Sequence, residues 1–242
     1  MKPIQHDKRE VEKLKQKING FLINHKTILE DVAKRASQIF EAYSINNVLK
    51  YYEKRNWFVK VENLTAKNEF RYKFSTAGFL PNYSYFSIEK NEEILEIRHN
   101  LQVRTSSSFD YKYTVDVVVI RSGSIKKNSS SNKINKNDMY YVEASDVITF
   151  MEVKMNTPHP TLCAGFLGLV HEIKPELVGF VNVLKNSGKH LAPSLIASAK
   201  STVFIDNLCR DFRNKKYCLN IISNAWLKPS GVYSNGLLLK LK

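Results

Sequence analysis

The sequence predicts an α/β domain, with a central mixed β-sheet flanked by helices and an N-terminal helical extension. Three observations predict it. Apolar residues recur at helical spacing up to about Arg55, and alternating β-branched and aromatic stretches fill Glu69 to Ile120. Beyond them, helical and nearly all-apolar extended segments take turns, the pattern of strands covered on both faces. A chain of 242 residues with 43% apolar and 11% aromatic content buries one substantial core. The expected division is a helical extension over 1–43 and a domain over 44–242, a single globular unit overall.

In order, Val11, Leu14, Ile18, Phe21 and Leu22 predict a first helix. Ile28, Val32, Ala36, Ile39 and Phe40 predict a second, with Gly20 and Asn24-His25 allowing a break between them. Ser44 as N-cap, with Val48, Tyr51 and Tyr52 on one side, predicts a helix over Ser44 to Arg55. Trp57 to Val61 turns extended. Phe70 to Phe74, Tyr83 to Ile88, Ile94 to His99, Leu101 to Arg104 and Tyr113 to Ile120 all read as strand. Ser122 to Asp138, rich in Ser, Asn, Lys and Gly, reads as an exposed basic hairpin insertion. A strand at Thr149 to Met155 follows, then Pro158, Pro160 and a helix over Thr161 to Ile173. Leu177 to Leu184 predicts a buried strand, Leu191 to Phe212 a long helix, and Tyr217 to Ser223 a last strand.

Several classes are set aside. Cys163, Cys209 and Cys218 form no Cys-x-x-Cys pair and no zinc spacing, so reduced thiols in a cytoplasmic protein are expected. The first residues lack the apolar core of a signal peptide, and the run from Leu162 to Val170 is too short to cross a bilayer. Gly165-Phe166-Leu167-Gly168 lacks the Lys-Ser/Thr ending of a phosphate loop and reads as an aid to close helix packing. Ser106-Ser107-Ser108 has no nucleophile-elbow context. Tyr72, Phe74, Tyr83, Tyr85 and Phe86, at strand spacing, read as core rather than as a base-stacking face.

A formal charge of +14 points to a polyanionic partner, with nucleic acid the expected one, an acidic membrane surface its rival, and a Lys- and Asn-rich compositional bias the plainer source of part of the excess. From Lys185 onward ten Lys or Arg face only Asp206 and Asp211, which makes that segment a candidate for backbone contact.

The charges that matter most interrupt apolar strands. Asp116 lies within Thr114-Val115-Asp116-Val117-Val118-Val119-Ile120, and Glu152 and Lys154 lie within Phe150-Met151-Glu152-Val153-Lys154-Met155. Side chains alternate along a strand, so Glu152 and Lys154 share a face, opposite Met151, Val153 and Met155. A charge in a sheet core is tolerated mainly when it is paired or holds a metal. The alternative is an Asp in a turn and an exposed-edge ion pair.

Asp116 followed by Glu152-Val153-Lys154, in an order of helix, β-meander, strand, helix and strand, resembles the PD-(D/E)XK or restriction-endonuclease-like nuclease superfamily. The resemblance covers roughly Ser44 to Leu184. Val115 stands where the family commonly has proline, and the insertion lengthens the spacing between the motifs. The resemblance implies a restriction-endonuclease-like core and a Mg²⁺-dependent endonuclease, with Mn²⁺ as a substitute ion, that hydrolyses phosphodiesters of DNA. It implies Asp116, Glu152 and Lys154 as catalytic residues, and Asp116, Glu152 and the Val153 carbonyl as metal ligands. Lys154 would then orient or deprotonate the attacking water, or neutralise charge in the transition state.

The same resemblance brings in a homodimer or larger assembly and a restriction or antiviral-defence setting, with a partner protein of such a system. The rival reading is a non-catalytic nucleic-acid-binding or assembly protein that keeps the fold. Glu53 and Glu96 are candidates for a further acid. Glu143 and Asp146 belong to the turn into the Glu152 strand, and His99 reads as a hydrogen-bonded structural histidine. His159 and Thr157 are placed at the border of the cleft.

Overall fold

The computed structural model describes residue 16 and residues 26–75, 78–105, 111–128, 140–178, 189–225 and 239–241. The first expected helix, its break at Gly20, Ser106-Ser107-Ser108, most of the insertion and the body of the Leu177–Leu184 strand lie outside them. The chain divides into two compact units, residues 1–39 and 40–242. Among the described residues no helix is long and apolar enough to cross a membrane.

Helix α1, Lys26–Glu53, is continuous. Ser44 therefore does not cap a new helix; it lies mid-helix and buried, with its hydroxyl unpartnered. Phe40, Ile45, Val48, Leu49 and Tyr52 recur at helical spacing and are buried, which leaves no reason for a break there. The helix stops before Asn56, whose φ of 60° suits an asparagine better than most residues.

The sheet is built from β1 (Phe58–Glu62), β2 (Tyr85–Lys90), β3 (Glu93–Arg104), β4 (Lys112–Arg121), β7 (Val147–Lys154), β9 (Ser194–Ala197) and β10 (Asn220–Ile222), in that spatial order. Two short strands, β5 (Lys126–Lys127) and β6 (Tyr140–Glu143), attach beside β3. The β1-to-β7 meander is antiparallel, whereas β7, β9 and β10 run parallel. The sheet is therefore mixed, and the fold is α/β. A separate two-stranded ribbon joins β8 (His190–Leu191) to β11 (Lys240–Leu241).

Both sheet faces are covered. Val117, Val119, Met151 and Val153 pack with α1, while Val118, Ile120 and Phe150 pack with helices α2 (Pro160–Ile173) and α3 (Val203–Asn214). His159 and Thr202 cap the two helices, and Pro160 opens α2 where no hydrogen-bonded N–H is needed.

Three expectations are corrected. The helix expected over Leu191–Phe212 is instead strands β8 and β9 followed by α3. Pro193 bars a helix at that point, and Ser194 to Ala197 are buried on both sides, as a central parallel strand requires. Phe70 to Phe74 forms no strand, although Phe70 stacks on Phe86 and Tyr72 on Phe74. Gly165 and Gly168 permit no close helix packing, since a Cβ on either would meet nothing within 4 Å.

Candidate active site

Sheet register brings the charged residues into one row. Val117 pairs with Met151 across β4 and β7, so one residue further along Asp116 stands opposite Glu152. On the other side His99 pairs with Val117 and Leu101 with Val115, which puts Asn100 across from Asp116. Asn100 has a φ of 44°, a left-handed conformation that asparagine tolerates, and it interrupts the regular β3 ladder beside the acid.

The β4–β7 ladder opens at this row. The backbone N–H of Val153 donates to Asp116 Oδ2 at 2.7 Å, so a side chain takes the place of a neighbouring-strand carbonyl. On its other edge β7 continues paired with β9, Glu152 with Leu195 and Lys154 with Ala197. Lys154 Nζ lies 2.8 Å from Asp116 Oδ2 and 2.8 Å from Glu152 Oε2. The three side chains singled out in the sequence meet in one cluster. Glu152 Oε1 is buried there without a hydrogen-bond partner.

A fourth charge belongs to the cluster. Glu41, on α1, accepts a long hydrogen bond from Asn100 Nδ2 at 3.4 Å, and the same amide donates to the Lys73 carbonyl at 2.9 Å. Burial, then the Asp116 charge, push the Glu41 carboxyl up to about 7, against the pull of Asn100 and Lys154. Glu152 is pushed up to about 7 as well, by burial first and the Asp116 charge second, with Lys154 opposing. Partial burial pulls Lys154 down, but the Asp116 and Glu152 carboxylates outweigh that and hold its ammonium well above the ordinary lysine range. Near neutral pH the cluster holds more acid than its one lysine neutralises.

Glu41 was not anticipated. A boundary at residue 43 set it apart from the domain, although the spacing of Phe40, Ser44 and Val48 runs across that boundary. Glu53 and Glu96 take no part. Glu53 is exposed at the end of α1, and Glu96 is buried in an ion pair with Arg98 at 2.7 Å. Glu143 and Asp146 flank the turn into β7, where Glu143 pairs with Arg104 and Lys126. His99 is buried among Phe70 and Tyr72, its Nε2 unpartnered and its pKa pushed down to about 3 by burial. It packs as a structural residue between those rings, without a hydrogen bond at Nε2.

The donor set fits a hard divalent ion. Such ions take carboxylate oxygens and keep several waters, so Asp116 and Glu152 suffice as protein ligands. Glu152 Oε1 offers an acceptor with no other use, and the protonated Lys154 already places a positive charge against both carboxylates. Among the described residues no group of three or more Asp, Glu, His or Cys side chains is placed to hold a metal ion, so an ion here would rest on two carboxylates and take its remaining ligands from backbone, water and phosphate.

Beside Glu152 a concavity of about 280 Å³ opens along α2, reaching His159, Thr161, Leu162 and Leu169. Comparisons of the chain with protein-family models, curated proteins and solved structures find no match.

Proposed function

We propose that the chain is a divalent-metal-dependent endonuclease hydrolysing phosphodiesters, with DNA as substrate, on a restriction-endonuclease-like core. One observation carries the reading: Asp116, on one strand, meets Glu152 and Lys154 of another in a half-buried cluster with an excess of acid and an orphaned carboxylate oxygen. A buried group that is raised toward neutrality and left unsatisfied marks functional sites more often than scaffolds.

The ligand roles are those that the resemblance to the nuclease superfamily implies. Asp116, Glu152 and the Val153 carbonyl are the assigned ligands of a Mg²⁺ or Mn²⁺ ion. Such an ion, when bound, acidifies water and offsets charge on a phosphoryl group. Water adds to phosphorus as the P–O bond to the leaving alkoxide breaks, and that alkoxide takes a proton from solvent. The attacking water loses its proton to a base, and Glu41, linked to the row through Asn100 at 3.4 Å, is the candidate for it. Lys154, held protonated by its two carboxylates, suits charge neutralisation in the transition state rather than proton abstraction.

The test is plasmid cleavage with Mg²⁺, with and without EDTA, for the unmutated protein and for Glu152→Ala and Lys154→Ala. Cleavage that needs the ion and is lost in both variants supports the site; cleavage persisting in both sinks it. The closed contacts of Lys154 with both acids favour a second reading, a binding protein with a spent site. Salt-sensitive DNA binding without cleavage in any divalent ion would select that one.

A further inference from the structure

The concavity beside Glu152 is built differently from the charged row it adjoins. Leu162, Phe166 and Leu169 follow one stripe of α2 and give it apolar walls. Gly165 lies between them, exposed, and a Cβ built there meets nothing within 4 Å. A helix interior disfavours glycine. Here the missing side chain keeps about 280 Å³ open. At the rim stand the Thr161 hydroxyl and the His159 ring, a polar edge on an apolar slot. Glu152 belongs both to this concavity and to the acid row.

We infer that this concavity is a subsite for one unpaired nucleobase, that of the nucleotide whose phosphate lies at the Asp116–Glu152 row. The inference rests on the nuclease reading and deepens it. A substrate held at Glu152 through its phosphate must put its next bulky group somewhere close. The neighbouring space is apolar, walled by Leu162, Leu169 and the edge of Phe166 and rimmed by Thr161 and His159, which suits a base and not a second phosphate. A base in such a slot has left its stack. The substrate is therefore single-stranded, or is opened at the cut, rather than read as an intact duplex.

The test reads binding rather than turnover. With Mg²⁺ present, calorimetric affinities are measured for deoxyadenosine 5′-monophosphate and for 2-deoxyribose 5-phosphate, which lacks the base. The nucleotide should bind roughly tenfold more tightly or better, the range that burying a base against apolar walls supplies. Gly165→Leu should erase that gap and leave the sugar phosphate unchanged; Gly165→Met is the second filler. Both residues favour helix over glycine, and a melting curve confirms folding. Equal affinities in the unmutated protein, no binding of either ligand, or a gap that survives both fillers would overturn the subsite. Metal-dependent cleavage by the unmutated protein that is lost in the Glu152 and Lys154 variants would stand whichever way these affinities fall, so failure here is separable from failure of the nuclease reading.

Discussion

Two strands of one sheet carry the same short pattern, an acid and a base two residues apart: Glu96-Ile97-Arg98 on β3 and Glu152-Val153-Lys154 on β7. Both acids are nearly enclosed, with 8% and 13% of their side chains exposed. Around Glu96 the charges balance. One oxygen accepts from Ser122 Oγ and the Gly123 N–H, both at 3.1 Å, while the other accepts from Arg98, which also stacks on Tyr85. Around Glu152 they do not balance. One lysine serves Glu152 and Asp116 at once, Glu41 adds its charge to the same neighbourhood, and one Glu152 oxygen has no partner. A buried acid–base pair on a strand therefore does not mark a site. Surplus acid is what sets the Glu152 pair apart, because it leaves charge that only a further cation or proton offsets.

The sharpest way to break the comparison is to neutralise each acid in turn. Glu152→Gln should lower Mg²⁺-dependent cleavage on the order of 10³-fold, with a melting temperature at pH 8 equal to or above the original. Glu96→Gln should do the reverse, leaving cleavage per folded molecule intact. It should cost about 3–5 kcal/mol in denaturant unfolding, because it strands a buried Arg98. Equal losses of activity and stability in both variants would erase the distinction.

A second difference concerns pH. Glu152 and Glu41 titrate near 7 when folded against an ordinary value of 4.5. The folded chain thus holds protons that the unfolded chain releases between those values, and their contribution to stability falls as pH rises through that window. His99 and His190, pushed down to about 3 and 4 from 6.5, act the other way, losing stability as pH drops below 6.5. A Glu41→Gln/Glu152→Gln double variant cancels the histidines by subtraction. Its stability advantage should grow from pH 5 to 7 and stay level above 8. In the unmutated protein, Mg²⁺ affinity should rise about tenfold per pH unit below 7 for each proton displaced. A flat profile on calorimetric titration would remove the surplus-acid argument.

Smaller effects test the rim of the cluster. Glu41→Gln should slow cleavage about 10- to 100-fold, and Asn100→Gly, which keeps the left-handed backbone but drops the amide, should slow it less. Glu53→Gln, on the same helix but exposed, should change neither rate nor stability beyond about 0.5 kcal/mol. Single-turnover rates at saturating ion would rank the three.

The strands of the meander were legible because their alternation is local and strong, and the row was legible because a charge among β-branched residues is conspicuous. Pairings between distant strands were not. That Asn100 faces Asp116 depends on the β3–β4 register, which no single segment encodes. Glu41 escaped notice because its companions are all on other elements. The Leu191–Phe212 stretch misled because its apolar spacing suits either state, and Pro193, which decides against the helix, was outweighed by it. Glu96 shows the converse: its satisfaction depends on Ser122 and Gly123, residues of a turn that reads as plain surface.

The hydrogen bond from the Val153 N–H to Asp116 has a consequence for how the protein comes into being. The row exists only once β4 has met β7, and β7 is fixed on its far side only by β9, some forty residues later in the chain. These are non-local closures, the kind that form late. A ribosome-bound chain that has emerged only as far as Lys154 carries all three residues and none of their geometry. Assembling the cluster is then the same event as completing the sheet, an order written into the chain itself.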